Sequence, residues 1–146
     1  MTKENKPRII VDQIPSQEND EVVRNALHEF NVAQIGQDEH YSVFAFSPEG
    51  KIIGGLLVYQ EAHSIFIDIL WIDESERGKG LGTELLLAAE KEAVRRKVPY
   101  STTDTLAFQA VNFYRKNGYE QIGMVKNYIE GHDRYFFRKK LDSTEP

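Results

Sequence analysis

The chain has no cysteine. Disulfides, thiolate metal sites and cysteine nucleophiles are therefore excluded, and we expect no metal. Nor is there an apolar run near the ~20 residues that a membrane-spanning helix needs. The longest run, Ser64 to Ile72, is interrupted by Asp68, so no membrane partner is expected. The polar start, Met1 to Lys6, has no apolar segment behind it. That predicts no secretory signal and a cytoplasmic protein. Basic residues are outnumbered: 18 Lys and Arg against 23 Asp and Glu give a net charge of −5. Binding a phosphate backbone needs a concentrated basic surface, so nucleic acid is not an expected partner. Two basic clusters exist, Arg95-Arg96-Lys97 and Arg138-Lys139-Lys140, and both read as solvated ends of elements.

What is present is ordinary globular composition: 146 residues, 40% hydrophobic and 28% charged. Length and composition fit a single domain over 1–146, with 1–6 and 142–146 expected to fray. No repeat, low-complexity tract or linker divides it. Arg8 to Ile14 is a β-branched run closed by Pro15, an expected first strand. Ser16 or Asp20 can cap a helix running to about Ile35, with Val22, Val23, Ala26, Leu27 and Phe30 at helical spacing. Strands are expected at Tyr41–Phe46 and Ile52–Tyr59, joined by the turn Ser47-Pro48-Glu49-Gly50. Gly54 and Gly55 inside the second strand suggest a bulge or a close approach. Ile65–Ile72 is apolar on both faces, as a covered central strand should be.

From Gly82 to Lys97 the pattern is helical. Gly82, Leu85, Leu86, Ala89 and Ala93 share a stripe, and Pro99 stops the helix. Tyr100–Thr105 reads as a strand, which implies a right-handed crossover and a parallel pair. Ala107–Asn117 is the last expected helix, ended by Gly118 in a left-handed conformation. Tyr119–Tyr128 and Arg134–Leu141 form a closing hairpin around Glu130-Gly131-His132. The expected fold is α/β (α+β): a mixed, twisted, mostly antiparallel sheet of six or seven strands, a parallel pair at its centre, helices on both faces.

The segment Arg77-Gly78-Lys79-Gly80-Leu81-Gly82-Thr83 follows the buried strand and opens a helix. Helix N-termini carry unpaired N–H groups and partial positive charge, so they attract phosphate. Three glycines let a ligand approach the backbone, and Arg77 and Lys79 add charge. A Walker A loop would end in Gly-Lys-Ser/Thr, but here Gly-Lys comes first. Thr83 stands where the Rossmann pattern needs its third glycine.

Arg77, Gly80 and Gly82 form Arg-x-x-Gly-x-Gly, which resembles the acetyl-CoA signature of the GNAT superfamily of N-acyltransferases. Ala110, Tyr114, Gly118 and Tyr119 resemble that family's Ala-x-x-x-Tyr-x-x-x-Gly-Phe/Tyr segment. The likeness covers roughly Ile52 to Leu141. One departure is Ala107, where many members carry asparagine. A side-chain contact to the cofactor is missing there, and Asn112 need not replace it.

The resemblance implies acetyl-CoA as acyl donor, with transfer by direct attack in a ternary complex. It implies a bulge that splays the strand ending at Ile72 from the strand at Tyr100. Backbone groups of Leu70, Trp71 and Ile72 would bond the pantetheine arm, an N–H of Leu70 or Trp71 would polarise the thioester carbonyl, and the pyrophosphate would sit on Gly78, Lys79, Gly80, Leu81, Gly82 and Thr83. Tyr114 matches the tyrosine that protonates the leaving sulfur; the other reading is a core tyrosine on the apolar face of its helix, and its position favours the acid role.

An attacking amine must first lose a proton. Asp68, the one charge in the buried strand, falls by period 2 on the face of Phe66, Leu70 and Ile72. It is either a base with a raised pKa or an aspartate satisfied by backbone donors. Asp104, His63, His132 and water are the other candidates. The expected acceptor is a primary amine of a small molecule or a protein; a small one is expected, and the acidic balance of the chain favours a cationic one. A non-catalytic acyl-CoA sensor of the same fold is the alternative, which a phenylalanine at 114 would have favoured. Monomer and homodimer are both compatible with the sequence.

Overall fold

A computed structural model gives the structure of residues 5–141. The terminal segments expected to fray lie almost wholly outside these residues. The described residues form two compact units, one up to Gly36 and one from Gln37 onward.

The first unit holds one helix, α1 (Gln17–Ile35). Ser16 caps it by accepting the Asn19 N–H at 3.4 Å, and Glu18 and Asp20 sit in its first turn, where the helix dipole favours carboxylates. Gly36 ends it at φ +86°, donating its N–H to the Val32 carbonyl. The expected strand at Arg8–Ile14 does not form. A β-branched run becomes a strand only with a ladder partner. Here the Asp12 carboxylate accepts the Ile14 N–H at 3.3 Å, a local turn bond in place of a ladder.

The second unit is built on six strands: β1 (Glu39–Phe46), β2 (Ile52–Gln60), β3 (Ser64–Ile72), β4 (Tyr100–Leu106), β5 (Glu120–Ile129) and β6 (His132–Lys140). Their order is β1-β2-β3-β4-β6-β5, and among the described residues β3–β4 is the one parallel pair. The mixed, mostly antiparallel sheet is thus as expected. α2 (Leu81–Arg95) makes the crossover from β3 to β4, and α3 (Val111–Lys116) follows β4.

Leu86, Ala89 and Ala93 of α2 and Tyr114 of α3 share one core with Leu56, Val58, Ile65, Ile67 and Phe137. Both helices of this unit therefore cover the same face of the sheet. Each fully buried Leu, Ile or Phe contributes roughly 1.5–3 kcal/mol of hydrophobic stabilisation. Gly54 is required where α2 crosses β2. A Cβ there would stand 3.1 Å from Ile72 Cδ1, 3.2 Å from Leu85 Cδ1 and 3.2 Å from the Trp71 carbonyl. The close approach read from Gly54 is real, and a register shift in β1–β2 lies beside it, between Ala45 and Phe46.

The basic clusters are not simply solvated. Arg96 pairs with Glu92 at 2.9 Å and Glu39 at 3.0 Å, and its guanidinium lies 4.5 Å from the Tyr41 ring centroid, tying the end of α2 to β1. Lys139 holds buried Glu90 at 2.5 Å. Burial pushes the Glu90 carboxyl up, and the lysine only partly offsets it.

The last helix is shorter than Ala107–Asn117. Residues 107–110 form a turn held by side chains: Gln109 Oε1 accepts the Leu106 N–H at 2.8 Å, and Thr105 Oγ1 accepts the Ala110 N–H at 3.1 Å. Those bonds take the backbone donors that a first helical turn would leave free. Ala107 instead donates its N–H to the Asp133 carbonyl at 2.8 Å, which joins this turn to the β5–β6 hairpin.

Candidate active site

The parallel ladder between β3 and β4 is short. It pairs Ser64 with Tyr100 through Ile67 with Thr103 and then stops. On its other side β3 stays paired with β2 to Ile72, but the register skips Asp68: Val58 faces Ile67 and Leu57 faces Ile69. Asp68 is thus the extra residue of a β-bulge, and the bulge bends β3 away from β4. The gap opens into a cleft of about 940 Å³ lined by Ile67 to Ile72, the glycine loop, Thr103 to Thr105, Phe108 to Ala110, Phe113 and Tyr114.

The bulge also resets the pleat. Ile65 and Ile67 are buried before it and Leu70 and Ile72 half-buried after it, while Asp68, Ile69 and Trp71 are exposed. The burial expected of Asp68 from period 2 is therefore corrected. It faces the open cleft, and among the described residues it has no ion-pair partner.

Strand backbone groups point alternately to the two sides. Asp73 donates its N–H to Ile53 of β2 at 2.8 Å. Two residues back, Trp71 also faces β2, so its backbone is taken up by the ladder. Leu70 and Ile72 turn their N–H and C=O toward the side that β4 has left. The Ile72 carbonyl accepts Arg77 Nε at 3.1 Å. That bond anchors the glycine loop to the end of β3, and it commits part of the Arg77 guanidinium to the protein. The N–H and C=O of Leu70 and the N–H of Ile72 stay directed at the cleft.

Between β3 and the loop, Asp73 caps a 3₁₀ turn at Glu74–Glu76. Its carboxylate accepts from the N–H and the hydroxyl of Ser75, which hold its pKa below the usual range. Gly78 (φ +76°) and Gly80 (φ +84°) then take left-handed conformations that glycine adopts without strain. Gly80 is the N-cap of α2 and offers no side chain, so the first N–H groups of the helix are left open. Gly82 serves packing instead: a Cβ there would meet Phe113 at 3.3 Å. Lys79 sits 3.4 Å from Glu76, exposed and outside the cleft wall.

Tyr114 is 4% exposed, yet it lies on the cleft. Its ring meets Phe113 edge-on at 5.2 Å and Tyr119 at 5.3 Å. Burial raises its pKa; a hydrogen bond with Thr103 pulls the other way, and the nearby Asp104 carboxylate adds to the rise. Asp104 also lines the cleft, but Arg134 Nη2 holds it at 2.8 Å. His63 lies in the β2–β3 turn, outside the cleft wall. His132 reaches the rim only by stacking edge-on against Phe108 at 4.7 Å. Asn112 is exposed and stands apart from it. Reasoning from sequence missed Thr103 and Thr105, whose hydroxyls face inward. The signal was there: Ser101, Thr103 and Thr105 alternate along one strand.

The chain that builds this cleft is similar to known proteins. The Acetyltransferase (GNAT) family model matches residues 8–119. A blasticidin-S acetyltransferase of Streptomyces morookaense is 31% identical over 118 residues, covering 80% of this chain and 86% of that protein. The crystal structure of an acetyltransferase from Bacillus cereus superposes with a TM-score of 0.81 at 31% identity, over 92% of this chain and 98% of that one. A proposed streptothricin acetyltransferase of Bacillus anthracis, solved with acetyl coenzyme A, shares the fold at a TM-score of 0.63 and 19% identity, over 70% of this chain and 63% of that one. The chain belongs to the GNAT family of acetyltransferases, which take their acetyl group from acetyl-CoA.

Proposed function

We propose that the protein transfers the acetyl group of acetyl-CoA to a primary amine of a small cationic molecule, by direct attack in a ternary complex. The observation that carries this reading is the splay beyond the Ile67–Thr103 rung, with an open helix N-terminus at one side and Tyr114 at its wall. The pyrophosphate would sit on the N–H groups of Gly78 to Thr83, where dipole and open donors favour negative charge. The pantetheine arm would take the place of a missing strand against Leu70 and Ile72.

The amine nitrogen bonds to the thioester carbon and the carbon–sulfur bond breaks. The Leu70 N–H, aimed into the gap, holds the carbonyl oxygen as negative charge develops on it. The Tyr114 phenol gives its proton to the departing sulfur. Asp68 accepts the proton that nitrogen loses, directly or through a water. Asp104 serves less well, because Arg134 Nη2 already occupies its carboxylate at 2.8 Å.

The uncompensated Asp68 carboxylate supports a cationic acceptor, and the blasticidin-S acetyltransferase supports a small one. The family model runs across both units of the chain, which supports a single catalytic domain. Use of acetyl-CoA supports a cytoplasmic location, and a monomer suffices for the site because its residues all come from one chain. The test is release of free CoA thiol from acetyl-CoA against a panel of primary amines that includes blasticidin S. Amine-dependent release supports the proposal. Tight acetyl-CoA binding with no release for any amine favours the sensor reading.

A further inference from the structure

The cleft has β3 on one side and the end of β4 with its following turn on the other. Gln109 lies in that turn, exposed and on the cleft wall. It is tied to Leu106 twice. Its backbone N–H donates to the Leu106 carbonyl at 2.9 Å, and its side-chain Oε1 accepts the Leu106 N–H at 2.8 Å. Thr105 Oγ1 donates to the same Oε1 at 3.4 Å. A backbone N–H can only donate, so the side-chain atom that faces it is the oxygen, and the orientation of the carboxamide is fixed. Both side-chain bonds take the oxygen, and neither engages Nε2.

The rest of the turn turns its donors inward. Leu106 gives its N–H to Gln109, Ala107 to the Asp133 carbonyl and Ala110 to Thr105 Oγ1. Ala107, Phe108 and Ala110 have no polar side chain. Gln109 Nε2 is therefore the side-chain donor that this turn can offer a ligand.

We propose that Gln109 is a cofactor-binding residue whose Nε2 donates to an amide carbonyl of the pantetheine arm. This rests on the reading that the arm lies in the splay as an added strand. The arm carries two secondary amides. Laid extended along β3, it turns some polar groups toward Leu70 and Ile72 and others away from them, as a strand does. A carbonyl on the far side faces the turn after β4, and leaving it without a donor in a filled cleft is costly. Gln109 carries the donor function of the end of β4 outward: its oxygen takes the Leu106 N–H, and its nitrogen offers an N–H in exchange. The bonds on the oxygen hold the side chain in place beforehand, so little freedom is lost when the arm arrives.

Gln109→Glu tests this, because it keeps an oxygen for the Leu106 N–H and removes the nitrogen. Calorimetry compares two ligands: acetyl-CoA, and ADP phosphorylated on its ribose as in CoA, which keeps the pyrophosphate and lacks the arm. One ordinary hydrogen bond corresponds to roughly a tenfold change, so the acetyl-CoA dissociation constant should rise by about that factor. Affinity for the nucleotide should change by about twofold or less, because a single exposed charge is screened by salt. A second readout uses the native protein alone. In ¹⁵N-labelled protein the Gln109 carboxamide signals, assigned by their loss in Gln109→Glu, should shift with acetyl-CoA and stay in place with the nucleotide.

Carboxamide signals that ignore acetyl-CoA, a Gln109→Glu protein that binds acetyl-CoA like the parent, or equal losses for both ligands overturn the role of Gln109 and leave the cleft reading intact. A native protein that binds no acetyl-CoA overturns the cleft reading and this proposal with it.

Discussion

Ile67 and Thr103 are the last paired residues of the parallel ladder, and the next residue of β3, Asp68, is a bulge. One inserted residue therefore separates a closed sheet from an open cleft. Below it, Thr102 and Thr103 add side-chain bonds to the backbone ladder. Above it, Leu70 and Ile72 present an unpaired edge. Bulges are placed where a sheet must re-aim its groups, and here the re-aimed groups are those we assign to the thioester.

The first prediction concerns Tyr114. Tyr114→Phe keeps the ring packed against Phe113 and Tyr119 and removes only the hydroxyl. General acid catalysis typically contributes about 10²–10⁴-fold, so kcat should fall within that range. Melting temperature and acetyl-CoA dissociation constant should change little. Steady-state kinetics with calorimetry check this; a rate equal to the parent's reduces Tyr114 to a core residue.

The loop gives a second prediction. Gly80 is left-handed, and Asp and Asn are the residues that best tolerate that conformation. Gly80→Asp and Gly80→Asn should strain the loop alike but differ in charge. At the positive end of α2, acetyl-CoA affinity should fall at least about tenfold more for Asp than for Asn. Equal affinities by calorimetry would remove the phosphate from this loop.

How much of this could be read from the sequence depended on period and spacing. The stripe Leu85, Leu86, Ala89 and Ala93 placed α2 correctly because helical spacing and Pro99 agreed. The glycine loop was legible because its chemistry is carried by residue type. Asp68 was misread as buried because period 2 assumes an unbroken pleat, and one inserted residue reverses every later position. The shortened α3 escaped because the competing bonds come from Thr105 and Gln109 side chains, and propensity cannot see them. The run Arg8–Ile14 had strand propensity without a partner, and pairing is not written in a single segment.

Gly54 yields the third prediction. Gly54→Ala puts a methyl against Leu85, Ile72 and the Trp71 carbonyl, and the carbonyl is backbone that cannot step aside. Overpacking of this kind costs about 1–3 kcal/mol. Because α2 carries the loop, thermal unfolding should come earlier and acetyl-CoA affinity should weaken together. A variant as stable as the parent contradicts the close packing of α2 on β2.

The fourth follows from buried phenols. Burial raises Tyr114 and Tyr119 above the ordinary 10.0 and pushes Tyr41 up to about 12. Their folded pKa values exceed the unfolded ones, so the folded state holds more protons as pH climbs, and stability must fall. The loss begins near the ordinary tyrosine value and for Tyr41 continues to about 12. Urea midpoints measured from pH 9 upward should hold steady and then drop through about pH 10–12. A flat profile across that window contradicts the burial of these hydroxyls.

The fifth concerns the base. Asp68→Asn removes the one unpaired carboxylate of the cleft while keeping its shape. kcat/KM for the amine should fall about 10²-fold, at the low end for a general base because water can reach the exposed site. The acetyl-CoA dissociation constant should hold. Unchanged kcat/KM assigns the proton to water.

The central claim is that an amine takes the acetyl group at this cleft. Its most direct measurement is free CoA released from acetyl-CoA by the native protein, with and without each amine of the panel, alongside mass spectrometry of the amine. We predict release that depends on at least one small cationic amine and an equal amount of acetylated product. Saturable acetyl-CoA binding with no amine-dependent release and no acetylated product would contradict it.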